Sequence, residues 1–176
     1  HLTRCGAACL ELAAMTPFLY GIEARELTWD LMEILCGARV TSNYVRIGGV
    51  KHEMPAAFPA ACRANVARIR GLLRDFDEVV TSNRIFVARL KGTGVISRED
   101  CLRYAVTGPI LRSTGVPLDL RKAAPYLTYA ELDFDVPIGE VGDNYDRYLV
   151  CVEEMQQSLR IVEQCLARLE KLGPGP

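Results

Sequence analysis

Apolar positions in this chain recur mostly at helical spacing. The clearest case is Cys62, Val66, Ile69, Leu73, Phe76 and Val80, which fall 4-3-4-3-4 apart. That spacing puts six side chains on one face of a helix. Arg63, Arg68, Arg70 and Arg74 then point elsewhere and read as a solvated face. Upstream, residues 2–34 set Leu10, Leu27, Leu31 and Ile34 among alanines and charges. Pro17 lacks an amide donor and crowds the turn before it, so a break near Thr16 is expected. The outcome is two helices or one bent one, stopped at Gly37.

Residues 40–55, "VTSNYVRIGGVKHEMP", lose the helical period. β-branched and aromatic residues followed by Gly48 and Gly49 predict an extended loop or a short strand pair. "SRED" at 97–100 resembles a capping box opening a short helix that runs to about Val106. Residues 108–137 are punctuated by Pro109, Gly115, Pro117, Pro125 and Pro137 and read as one long irregular segment, the kind that carries function or an interface. The final helix should begin at Asp143, a good N-cap, with Asp146 placing negative charge in the first turn. Leu149, Val152, Gln156, Leu159, Val162, Leu166 and Leu169 read as its buried face. Arg160, Glu163, Glu170 and Lys171 read as the outer one, and Gly173 with Pro174 as the stop. The expected fold class is mainly α, with an irregular Pro/Gly-rich segment and little strand.

Composition narrows the classes further. With 49% hydrophobic and 24% charged residues, the 176-residue chain is ordinary globular protein of single-domain size. A net charge of -1 gives no electrostatic case for nucleic acid. The best apolar run, residues 12–22, is interrupted by Pro17 and is about half the roughly 20 residues a membrane span needs. No basic-then-apolar leader opens the chain. Seven scattered cysteines without a CxxC read as small buried residues, Cys5 and Cys9 sharing one helix face. His1 and His52 are too few and too far apart to suggest a metal site. Both ends read as cut, leaving residues 1–176 as a single-domain fragment.

Periodicity assigns no reaction. The words of the sequence go further: "MTPFLY" at 15–20, "NYVRIGGV" at 43–50, "TSNRI" at 81–85, "TGPILRSTGVPLDLRKAAPY" at 107–126, "FDVPIGEVGDNYDRYLV" at 134–150 and "EEMQQSLRI" at 153–161. In that order and with those gaps, the series resembles the D subunit of bacterial NADH-quinone oxidoreductase, respiratory complex I, over nearly the whole chain. The resemblance implies the helical fold of the large subunit of nickel-iron hydrogenases, represented here by the middle of the protein. It implies a peripheral place on the cytoplasmic side of a bacterial membrane. There it lies against the small subunit that holds the terminal iron–sulfur cluster, among other peripheral-arm and membrane-arm subunits. Quinone enters between the two, whereas NADH and flavin belong to other subunits and this segment binds no cofactor or metal. Related membrane-bound hydrogenases and dehydrogenases with other donors use the same subunit type, and a helical scaffold without a redox role is the reading from a different class.

Residue roles follow from the same resemblance. The family's "LDxGAMTPF" supplies an Asp that pairs with a quinone-facing His. Here "LELAAMTPF" puts Glu11 at the Asp and Ala13 at the Gly. A carboxylate behind a His fixes its tautomer and helps deliver a proton, so Glu11 is the candidate catalytic residue, and it is expected to be buried among Leu10, Leu12, Ala13 and Ala14. Many relatives read "RMHxxYxRxGGV" near the terminal cluster. Here Thr41 stands in the His position, and Arg39 and Arg46 match loop arginines whose charge would stabilise a reduced cluster. Glu26 and Glu33 are also shared with the family and read as partners in surface ion pairs.

Overall fold

Helices α1 (Leu2–Glu11) and α2 (Met15–Cys36) reverse direction through residues 12–14 in a computed structural model that describes residues 1–172. Pro17 does not kink α2. It occupies the first turn, where an amide would have no intrahelical partner. The break falls earlier, at Ala13, whose φ of 64° is left-handed. Gly37 ends α2 at φ 74°, its amide returning to the Glu33 carbonyl at 2.8 Å. The next segment is a strand pair, β1 (Val45–Arg46) and β2 (Gly49–Val50), antiparallel with Val45 opposite Val50.

Helix α3 (Phe58–Val80) buries all six residues of the 62–80 stripe. At roughly 1.5–3 kcal/mol per buried apolar side chain, it is the spine of the core. α2 lies along it, α1 packs on α2, and the long terminal helix α8 (Asn144–Leu172) closes the group. The α1–α2 crossing is close. A Cβ on Gly21 would stand 3.2 Å from the Leu2 carbonyl oxygen and 3.5 Å from Gly6 Cα. Between α3 and α8 run α4 (Arg84–Leu90), α5 (Arg98–Arg103), α6 (Gly108–Arg112) and α7 (Leu120–Ala123). Asn83 caps α4, accepting the Ile85 amide at 3.0 Å, and Ser97 caps α5, accepting the Asp100 amide at 3.0 Å.

Three expectations are corrected. The buried face of α8 is Tyr148, Cys151, Met155, Leu159 and Leu166, whereas Leu149, Val162 and Leu169 are exposed. The starting frame of that stripe is set by Tyr148 and Cys151, which meet α1, α3 and α4. Second, the α3 arginines lie on a solvated face as read, but three of them also pair there: Arg63 with Glu170, Arg68 with Glu23 and Arg70 with Glu163. Third, residues 108–137 hold α6, α7 and a 3-10 turn at Tyr129–Glu131, then run along α8. There Gln157 and Gln164 accept the Asp135 and Asp133 amides at 3.0 and 2.8 Å, and Arg160 and Arg168 pair with Asp133 and Glu131. Arg160 is therefore a clamp on this segment. The expected stop at Gly173 and Pro174 lies outside the described residues. No helix among the described residues is long and apolar enough to cross a membrane.

Candidate functional site

The polar turn "GDNYDRY" joins the start of α8 to three other segments. Asp143 accepts the Asp146 amide at 2.8 Å as a helix cap and the Gly92 amide at 2.7 Å with its other oxygen. Burial pushes its carboxyl up, but these amides, that of Tyr145 and the Arg147 charge outweigh burial and hold it low. Asp146 accepts the amides of Glu140 and Val141 at 2.8 and 2.6 Å. Arg147 donates to the carbonyls of Gly94 and Gly142 at 2.5 and 2.8 Å, and Tyr145 to the Thr81 carbonyl at 2.8 Å. Gly142, at φ 73°, leaves no room for a Cβ beside the Ile96 carbonyl. The turn is thereby spent on holding loops together.

The four residues singled out from the sequence do not form one cluster. Glu11 is the last residue of α1 and is exposed, correcting the expectation of burial. Cys9, two residues earlier and about 200° round the helix, faces the core instead. Thr41 is exposed. Arg39 is committed to α2, donating to Glu26, Asp30 and Glu33 at 2.6, 2.8 and 2.7 Å. Those carboxylates, Asp30 and Glu33 foremost, raise its pKa further. The three outnumber its charge, so Arg46, exposed on β1, is the arginine of the pair left to act on a neighbour. Among the described residues no hydrogen bond or ion pair joins Glu11 to Arg39, Thr41 or Arg46. None groups three or more His, Cys, Asp or Glu in a way that could hold a metal ion.

A second polar centre was missed from the sequence. Glu154, on α8 and 4% exposed, takes His1 Nε2 at 2.6 Å and the Nε of Arg112 from α6 at 2.6 Å. Arg112 also donates to the Leu118 carbonyl at 2.9 Å. Burial pushes the Glu154 carboxyl up, but His1 and Arg112 outweigh it and hold it below 4.5. One turn earlier Cys151 receives the Nη1 of Arg4 at 2.9 Å. The Cys5 thiol and the His1 ring also act on this sulfur. Cys151 is pulled well below the usual thiol range, chiefly by Cys5 and against burial, with His1 and Arg4 adding charge. His1 is pushed up to about 9 by Cys151 first and Glu154 second. The bond to Cys151 and burial push Cys5 up. The usable sequence signal was "CVEEM", which places Cys151 and Glu154 one turn apart. Their partners are remote: Arg4 lies 147 positions from Cys151, and Arg112 lies 42 from Glu154.

The family described as "Respiratory-chain NADH dehydrogenase, 49 Kd subunit" matches residues 11–175. This chain belongs to that family. It is 51% identical to a D subunit of NADH-quinone oxidoreductase from Anaeromyxobacter dehalogenans, over 99% of its own length and 40% of that protein. It is 48% identical to the corresponding D subunit of Myxococcus xanthus, over its whole length and 42% of that protein. Against a C/D subunit of the same enzyme from Aquifex aeolicus it is 46% identical, over 98% of its length and 29% of that protein. The chain thus spans well under half the length of these relatives. Those relatives carry the name of subunits of NADH-quinone oxidoreductase.

Proposed function

We propose that this chain builds one wall of the quinone pocket of a proton-translocating NADH-quinone oxidoreductase. The hairpin carries the reading. Val45, Ile47 and Val50 are 80%, 108% and 54% exposed, so its apolar side chains find almost no cover within the chain. A hairpin of this length is marginal in water by itself, and three bare apolar residues beside Arg46 suit an apolar substrate and a partner subunit better than solvent. In this reading electrons pass from NADH and flavin, held by other subunits, through iron–sulfur clusters to quinone. The cluster subunit forms the opposite wall, and the complex sits on the cytoplasmic face of the membrane against its membrane-arm subunits. The chain itself supplies surface and charge. Glu11, being exposed, is free to meet a His outside this segment and to fix that ring for proton delivery. The nickel-iron hydrogenase large subunit remains the fold this reading implies.

Substituting Ile47→Asp in the assembled complex tests it. Quinone-linked turnover is expected to fall at least ~tenfold, a barrier change of about 1.4 kcal/mol, while NADH oxidation by an artificial acceptor persists. Unchanged quinone turnover in the assembled complex would overturn the reading, whereas equal loss of both activities would mark failed assembly instead.

A further inference from the structure

The Cys5–Cys151 contact has no part in the proposed quinone chemistry. Both thiols are buried, at 3% and 0% exposure. They come from opposite ends of the sequence and meet where α1 crosses α8. Cys9, buried in the same helix, lacks such surroundings: burial alone acts on it, pushing it up to about 11. Cys151 instead has a guanidinium 2.9 Å from its sulfur, with the His1 imidazole and the Cys5 thiol acting on it as well. A cation beside one sulfur makes it the nucleophile, and the protonated neighbour stands ready to resolve the product.

We propose that Cys5 and Cys151 form a hydroperoxide-responsive dithiol whose oxidation staples α1 to α8. The Cys151 thiolate attacks one peroxide oxygen and the O–O bond breaks. With one proton taken up, this leaves a sulfenic acid on Cys151 and releases one water (an alcohol from an alkyl hydroperoxide). The Cys5 sulfur then attacks the Cys151 sulfur, the S–O bond breaks, and the Cys5 proton leaves with the hydroxyl as a water. Two thiols lose two electrons and the peroxide gains them. Burial of both sulfurs, Cys5 at 3% and Cys151 at 0% exposure, selects a small oxidant such as hydrogen peroxide over a peptide disulfide. The disulfide takes from Arg4 the anion it now holds, so oxidation frees that cation at the surface of α1, while His1 keeps Glu154.

The test is a hydrogen peroxide titration of the full-length protein in its purified native assembly, with differential alkylation and peptide mass spectrometry. The Cys5–Cys151 disulfide peptide is expected at a dose at least ~tenfold below that oxidising Cys9 or Cys101, and dithiothreitol should reverse it. In Cys5→Ser the reaction should stop at a sulfenic acid on Cys151, trapped by dimedone. Arg4→Met should raise the half-oxidising dose. The proposal is overturned if both thiols stay reduced at doses that already oxidise Cys9 or Cys101, or if wild-type Cys151 passes to sulfinic acid with no disulfide. The wild-type titration decides this even where a variant fails to fold.

Discussion

Ala13 holds a φ of 64° that an L-residue adopts at a cost of about 1–2 kcal/mol. It stands where the family pattern has Gly. Ala13→Gly removes the strain but loosens the unfolded chain by roughly 0.5–1 kcal/mol, so a net stabilisation between zero and about 1.5 kcal/mol is expected in denaturant melts of the protein. A clear loss would mean the turn does not need positive φ. Glu154 offers a harsher test. Glu154→Gln leaves the Arg112 guanidinium, 9% exposed, without its counter-charge, and breaking a buried pair this way costs about 3–5 kcal/mol. The wild-type carboxyl is held below 4.5 when folded. Its contribution is therefore present above about pH 4.5 and lost as pH falls through the lower folded value. The variant should lack that acid limb in melts taken across pH 3–6.

At the scale of elements, α8 shows how a helix can be read correctly in type and wrongly in rotation. Leu166 is 6% exposed and Leu169 is 47% exposed, although the spacing places both on one stripe. Leu166→Ala should cost about 2–5 kcal/mol through lost burial and a cavity. Leu169→Ala should fall within about 0.5 kcal/mol, as exposed sites do. Similar losses at the two positions would restore the stripe read from spacing. The polar track Gln157, Arg160, Gln164 and Arg168 recurs 3-4-4 apart and is itself a helical stripe. It was legible as one face, but nothing local marks it as a clamp, because its partners are the backbone and carboxylates of residues 131–135.

For the whole molecule, the proposed function sets the exposed hairpin loop against neighbouring subunits. Thr41 is exposed at the base of that loop where many relatives place His, and a hydroxyl does not titrate near neutrality. On the proposed placement, the terminal cluster of the neighbouring subunit should show a potential flat across neutral pH. Thr41→His should introduce a slope of up to ~59 mV per pH unit, the one-electron, one-proton value. Redox titrations followed by paramagnetic resonance at several pH values check both. A steep slope in the unsubstituted protein would mean another group titrates there.

Much was determined by the sequence alone. It specified the helical class, the α3 stripe, the stop at Gly37, the hairpin at Gly48–Gly49, the caps at Ser97 and Asp143, and the family through six ordered motifs. These are local properties: a period, a missing amide, a positive φ or a short-range hydrogen bond acts over a few residues. Only the tertiary structure decided that Glu11 faces solvent, that Arg39 is already surrounded by carboxylates, and that α8 is rotated to place Cys151 and Glu154 inside. Helix rotation is fixed by what packs against the helix. Cys9 and Glu11, two residues apart on α1, point about 200° apart, so the packing that buries Cys9 leaves Glu11 in solvent. The His1–Glu154–Arg112 contact joins segments distant in sequence, and no pattern within any one of them encodes the charges supplied by the others.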